Sequence, residues 1–170
     1  MITYNFEGIK RPEFLRRLTS AWIRLVAARH GKKVGDITYL FCSEEKMLET
    51  NQKFLQHDYY TDIITFDNSE GDTISGDIII APDTVRSNAA KYGTHFRDEF
   101  RRVIIHGILH LCGIDDKAPG AREIMERHEN EALALFRKMT DREPKKPKEP
   151  KDPKPPKDPK DPKQPKDPQP

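Results

Sequence analysis

The stretch HGILHLCGIDD, residues His106 to Asp116, decides how this chain is read. Its two histidines are four apart, about one helical turn, so on a helix both imidazoles project from one face. Extending upstream to Arg97 makes a helix of 97–112, closed by Gly113. From Val103 to Cys112 its only polar side chains are His106 and His110. A helix that is apolar nearly all round belongs in a core, where an unpaired imidazole nitrogen costs about 1–3 kcal/mol. Two solutions follow. Each ring finds a carbonyl or carboxylate, or both rings converge on a metal ion. Burial, the glycine turn and the acids just beyond it favour the ion, and imidazole with carboxylate is a donor set for zinc. Asp116 is the candidate third ligand, with Asp115 as its rival and His128 on the following helix as a weaker one. His30, His57 and His95 lie in polar surroundings and are expected at the surface or at helix caps.

Gly107 limits the chemistry. A zinc peptidase carries its general base directly after the first histidine. H-E-x-x-H has here become H-G-x-x-H, so peptide hydrolysis is disfavoured. No side chain offers itself as a catalytic residue in its own right, and activation of water falls to an ion held by His106, His110 and Asp116.

Outward from this helix, the pattern is β-α-β-α-β-β-α-α-α. Strands are predicted at 2–6, 36–42, 61–67 and 75–81, the last two forming a hairpin across NSEGDT. Helices are predicted at 11–30, 44–55, 83–91 and about 119–139, flanking the histidine helix. In the first of these, Pro12 falls near the opening turn. Phe14, Leu18, Trp22 and Leu25 form its apolar stripe, with Arg16, Arg17 and Arg24 on a solvated face. In the second, Ser43 is the N-cap, and Met47, Leu48, Asn51, Phe54 and Leu55 face inward. The last carries Ile124, Met125, Leu133, Leu135 and Phe136. Adjacent strands followed by clustered helices specify an α+β fold with a small mixed sheet of about four strands packed with helices.

Composition divides the chain in two. The last thirty residues, from Asp141, hold 11 of the 14 prolines, 10 basic and 7 acidic residues and no aliphatic or aromatic side chain. Residues 1–140 are left with 20 basic against 21 acidic residues, a formal charge of −1 against +2 for the whole. One domain over 1–140 and a disordered Lys/Asp/Pro-rich tail over 141–170 are therefore expected. A global basic footprint for nucleic acid is absent, so RNA binding requires a local patch. Cys42 and Cys112 lack metal or redox spacing and are expected as buried thiols in a reducing compartment. With neither a signal peptide nor a membrane span in the sequence, a soluble cytoplasmic protein is the expectation.

HGILHLCGIDD resembles the H-G-x-L-H-L-x-G-x-D-H signature of the YbeY family of bacterial endoribonucleases. NQKFLQHDYYTDIITFD (51–67) resembles that family's N-x-x-Y-R-x-x-D-x-x-T-D-V-L-S-F segment, and SGDIIIAPDTV (75–85) its G-D-I-x-I block. The resemblance implies a zincin-like α+β fold with one Zn²⁺ per chain. It implies single-strand-specific cleavage of RNA, in 3′ end maturation of small-subunit ribosomal RNA and late ribosome quality control. Ribosomal RNA, the small subunit and ribosome-associated proteins are the implied partners. Carried over position by position, His106 and His110 match the first two metal ligands, and the third histidine falls on Asp116. The family's arginine, four residues after the asparagine, falls on Leu55, which cannot stabilise phosphorane charge as a guanidinium would. Lys53, Arg97, Arg101 and Arg102 are the RNA-binding candidates to take over that role. Leu55 also admits the alternative of a non-cleaving ribosome-assembly factor with a structural zinc.

Overall fold

The computed structural model describes residues 1–55 and 61–141, Leu55 by its backbone alone. The predicted tail, apart from Asp141, and His57 lie outside the described residues. The element order is the expected one: β1 (Ile2–Glu7), α1 (Arg16–Arg29), β2 (Lys33–Cys42), α2 (Glu44–Leu55), β3 (Ile63–Asp67), β4 (Thr73–Ile80), α3 (Pro82–Tyr92), α4 (Phe96–Leu111) and α5 (Ala121–Asp141). The four strands form one mixed sheet in the order β1-β2-β4-β3. β1 and β4 both run parallel to β2, and β3 returns antiparallel to β4 as the expected hairpin. The fold is α+β.

Alternation along the strands sends Ile37, Tyr39 and Phe41 of β2, with Ile74, Ile78 and Ile80 of β4, into one core together with α1, α4 and α5. The parallel register sets Tyr4 beside Tyr39 and Phe6 beside Phe41, and both ring pairs stack, at 5.4 and 5.3 Å. Buried polar atoms in this core are paired. Tyr39 donates its hydroxyl to the Ile104 carbonyl at 2.9 Å, and Trp22 donates its indole N–H to the Ala132 carbonyl at 2.7 Å. These bonds tie the sheet to α4 and α1 to α5, since an unpaired buried group would cost what its hydration was worth.

Three local expectations need correction. α1 begins at Arg16 rather than at 11, so Pro12 lies ahead of the helix. Phe14 is the reason: its ring contacts those of Tyr4, Phe41 and Phe100, which favours an extended approach over another helical turn. The buried stripe of α1 is Thr19, Trp22, Ile23, Val26 and Ala27, leaving Leu25 exposed. Phe54 of α2 and Ile124 of α5 are likewise exposed, although Phe54 packs edge-on against Phe66. Ser43 does cap α2, its hydroxyl accepting the Lys46 amide at 3.2 Å. Cys42 is buried and Cys112 partly so, and both are free thiols.

Candidate metal centre

α4 lies against the sheet through Gly107. A Cβ there would stand 3.0 Å from Ile78 Cδ1 and 3.2 Å from Ile63 Cδ1. The glycine therefore serves close approach of helix to sheet, and a residue at this position points into the core rather than toward substrate. This gives a structural reason for the missing glutamate of H-E-x-x-H.

His106, directly before Gly107, and His110, three residues after it, share the flank of α4 beside that contact, where the core opens into a cleft of about 990 Å³. Their rings meet edge to face, with centroids 4.5 Å apart. Both are partly exposed rather than sealed in the core, with side chains 21 % and 28 % accessible. At the helix end the Gly113 amide bonds the His110 carbonyl and the Ile114 amide bonds the Leu109 carbonyl. Gly113 takes a φ of 95°, open to glycine and strained for other residues. This turn sends the chain back past the helix face.

Asp115 and Asp116 then divide the work. Asp115 accepts the backbone amides of Asp116, Lys117 and Ala118 at 2.8, 3.0 and 3.2 Å, and those amides hold its carboxyl below the usual range. With both oxygens engaged, it shapes the loop and is no rival for the ion. Asp116 turns inward. Its Oδ2 lies 3.3 Å from His106 Nε2 and 3.3 Å from His110 Nε2, and the three donor atoms all fall within 4.8 Å of one another.

These distances test the donor set. A charge-assisted hydrogen bond spans about 2.7–2.9 Å. Two ligand atoms of a tetrahedral ion with bonds of about 2.0–2.1 Å stand about 3.3–3.4 Å apart. The observed spacings match the second geometry, and two nitrogens with one carboxylate oxygen are zinc-type donors. Residues His106, His110 and Asp116 can hold a metal ion.

A fourth residue completes the arrangement and was not read from the sequence. Glu129 of α5 is only 7 % exposed and accepts a hydrogen bond from His106 Nδ1 at 3.1 Å. A carboxylate can only accept, so Nδ1 carries the proton and Nε2 turns its lone pair toward Asp116. Arg102 steadies the same glutamate, with Nη1 at 3.3 Å from its Oε1 and Nη2 donating to Asn130 at 2.8 Å. The available signal was positional: Glu129 shares the inward stripe with Met125, Ala132, Leu133 and Phe136, where an unpaired carboxylate would be costly.

The local field points the same way. Burial alone would lower the His106 pKa, but the Glu129 hydrogen bond and the charges of Glu129, Asp116 and Asp62 hold it above the ordinary value. Burial and the neighbouring His106 keep His110 below it, against Asp116 and the Ile114 backbone. Burial also pushes the Asp62 carboxyl up, against its own amide, the His106 charge and an Asn88 hydrogen bond. Surroundings that draw positive charge onto one ring suit a dication at the point where the rings meet.

The other predicted residues scatter. His128 faces away from the cleft, edge to face with His30 at 4.9 Å, and its buried Nδ1 has no hydrogen-bond partner. His95 is an exposed residue at the N-cap of α4. Thr61 and Asp62 line the cleft, as does Arg102 of the four RNA-binding candidates. Arg101 instead covers the Phe136 ring and pairs with Asp98. Arg97 lies on the exposed first turn of α4, and Lys53 sits over Phe54.

A small mixed sheet, a buried helix presenting two histidines and an aspartate returning past a glycine turn together define an α+β protein with a cleft whose His106, His110 and Asp116 could hold a metal ion. The family model for endoribonuclease YbeY matches residues 4–137, and the chain belongs to that family. It is 62 % identical over 136 residues to endoribonuclease YbeY of Phocaeicola vulgatus, covering 80 % of this chain and 99 % of that one. To the Bacteroides thetaiotaomicron protein of the same name it is 60 % identical over 134 residues, 79 % of this chain and 98 % of that one. Its fold resembles the solution structure of a Thermotoga maritima protein, with a TM-score of 0.57 and 27 % identity over 88 % of this chain and 100 % of that one. Among the described residues, no helix is long and apolar enough to cross a membrane.

Proposed function

We propose that this chain is a zinc-dependent, single-strand-specific endoribonuclease acting in 3′ end maturation of small-subunit ribosomal RNA and in late ribosome quality control. The observation that carries the reading is the pair of 3.3 Å spacings from Asp116 Oδ2 to the two histidine Nε2 atoms. They belong to a member of a family whose relatives are named endoribonuclease. The catalytic domain spans 1–140, followed by the Lys/Asp/Pro-rich segment, and the protein works in the cytoplasm with ribosomal RNA and the small subunit as partners.

His106, His110 and Asp116 would hold the zinc. When bound it supplies a Lewis acid that acidifies water and polarises a phosphoryl oxygen. The chain's own groups do the rest. Glu129 holds the proton on His106 Nδ1 and so fixes the ring's orientation, and Arg102 holds Glu129. Asp62, whose carboxyl burial pushes up, lines the same cleft. Asp116 brings negative charge where a histidine would be neutral, so water at this site is expected to be less acidic than beside three imidazoles.

The test is elemental analysis joined to a cleavage assay on ribosomal RNA. Zinc near one equivalent with cutting is expected, both lost in His110→Ala. Equal cutting by that variant overturns the reading. Leu55, in place of the family's arginine, favours a second reading of a non-cleaving assembly factor in which zinc is structural. Loaded protein that never cuts RNA but unfolds on chelation would select it, and Leu55→Arg tests whether this position limits activity.

A further inference from the structure

The cleft around the three donors is a poor electrostatic host for a polyanion. Asp62, Asp67, Glu99, Asp116, Glu126 and Glu129 line it against three basic side chains, Arg102, Lys117 and Arg122. Arg102 is already ion-paired to Glu129. Lys117 and Arg122, beside Asp116 and at the start of α5, are left to meet phosphates. Proteins that bind single strands combine such contacts with aromatic rings on which unpaired bases stack, and one ring is available. Tyr92 alone among the described cleft-lining residues carries a phenyl-type ring. That ring is 61 % exposed.

Its position is fixed by the backbone. Tyr92 is the last residue of α3, and directly after it the chain is held by the Thr94 amide bonding the Ala89 carbonyl at 2.9 Å. Ala89 is itself buried. The side chain has only two rotatable angles to order, so stacking costs it little entropy. α4 packs against both α3 and α5, so Tyr92 and the Lys117–Arg122 segment enter the cleft from different neighbours of the histidine helix.

We propose that Tyr92 is a nucleobase-binding subsite: an unpaired base of the RNA stacks on its ring while the adjoining backbone runs past the donors toward Lys117 and Arg122. The inference rests on the endoribonuclease reading and deepens it. A base inside a duplex has both faces covered by its neighbours and offers nothing to the ring, so the subsite selects single strands without reading sequence.

The experiment measures fluorescence anisotropy of a labelled, unstructured oligoribonucleotide and of a duplex with the full-length zinc-loaded protein, alongside steady-state cleavage. Tyr92→Ala should weaken single-strand binding about tenfold, within the range of one stacked base. KM should rise by the same factor with kcat little changed. Tyr92→Phe should bind as the parent does, Tyr92→Leu should bind as Tyr92→Ala does, and duplex binding should not respond. The salt dependence should keep its slope in Tyr92→Ala and flatten in Lys117→Ala or Arg122→Ala, which remove phosphate contacts. Oligonucleotides carrying one abasic position supply the cycle. At one position the abasic loss should equal the Tyr92→Ala loss, and the two should not add. Parent protein that binds RNA no better than Tyr92→Ala does overturns the subsite and leaves the nuclease reading standing. Parent protein that neither binds nor cuts RNA overturns both.

Discussion

Among the described residues stand two histidine pairs of nearly the same shape and different consequence. His106 and His110 meet edge to face with centroids 4.5 Å apart, and His30 and His128 do so at 4.9 Å. Each pair has a carboxylate nearby. In the first, one oxygen of Asp116 stands 3.3 Å from both rings, and buried Glu129 orients His106 from behind. In the second, exposed Glu131 reaches only His128, at 3.6 Å, and the buried Nδ1 of His128 lacks a hydrogen-bond partner. A metal centre is therefore defined less by two imidazoles than by a shared third donor and an outer partner that fixes the tautomer.

Chelation gives the largest effect that separates the pairs. An ion bound to the native state alone stabilises it by about 4 kcal/mol at a thousand times its Kd. Zinc should raise the melting temperature measured by calorimetry, and a chelator should reverse the rise. His106→Ala should abolish this response and His128→Ala should preserve it. Loss of the response in His128→Ala would mean that the second pair is also a metal site and would end the contrast.

Gly107→Glu asks whether α4 could have carried a peptidase base as well. The site faces Ile78 and Ile63 at 3.0–3.2 Å from an added Cβ. Overpacking costs about 1–3 kcal/mol, and a buried carboxylate without a partner adds about 1–3 kcal/mol more. Urea unfolding should show a loss of about 3 kcal/mol or more. A stable variant would show that the helix can lift from the sheet, and the distinction between its dry and wet faces would then be softer than the structure indicates.

Much of the first pair was legible beforehand because it is local. H-x-x-x-H places two rings on one helical face, Gly113 reverses the chain, and Asp116 is ten residues from His106. The choice between Asp115 and Asp116 was not legible, since it depends on three backbone amides that only the folded loop brings to Asp115. Glu129 was missed for the opposite reason. Its partner is 23 positions away, and a lone glutamate on an amphipathic helix ordinarily belongs to the solvated face. The fold shows the same division. Element order follows periodicity, but Leu25 and Phe54 are exposed against their pattern, because spacing along one helix cannot say which sector of it the rest of the protein covers.

Glu129→Gln tests the outer partner directly. An amide can present its NH₂ or its carbonyl to His106 and carries no charge, so ring orientation and basicity both weaken. Zinc affinity should fall about 10–100-fold, as for other partners of metal-bound histidines, read by competition with a chromophoric chelator. A matching change at the second pair, Glu131→Gln, should leave zinc affinity unchanged.

The smallest effect is a pH dependence located at the second pair. Burial and the nearby His128 hold His30 below the ordinary histidine pKa, with Glu131 opposing. The folded state thus binds fewer protons at His30 than the unfolded state does, and stability rises with pH wherever the unfolded chain holds more protons. This contribution is complete above the unfolded value of about 6.5 and is lost as pH falls from there through the lowered folded value. Solvent screening of a partly exposed ring limits it to the order of a few tenths of a kcal/mol. Urea midpoints measured above and below that window should converge in His30→Gln relative to the parent, because a glutamine has no proton to gain. An unchanged midpoint difference would place the acid sensitivity elsewhere. A difference that vanished only when zinc was removed would place it at the first pair, where the same acidification would displace an ion from His106 and His110.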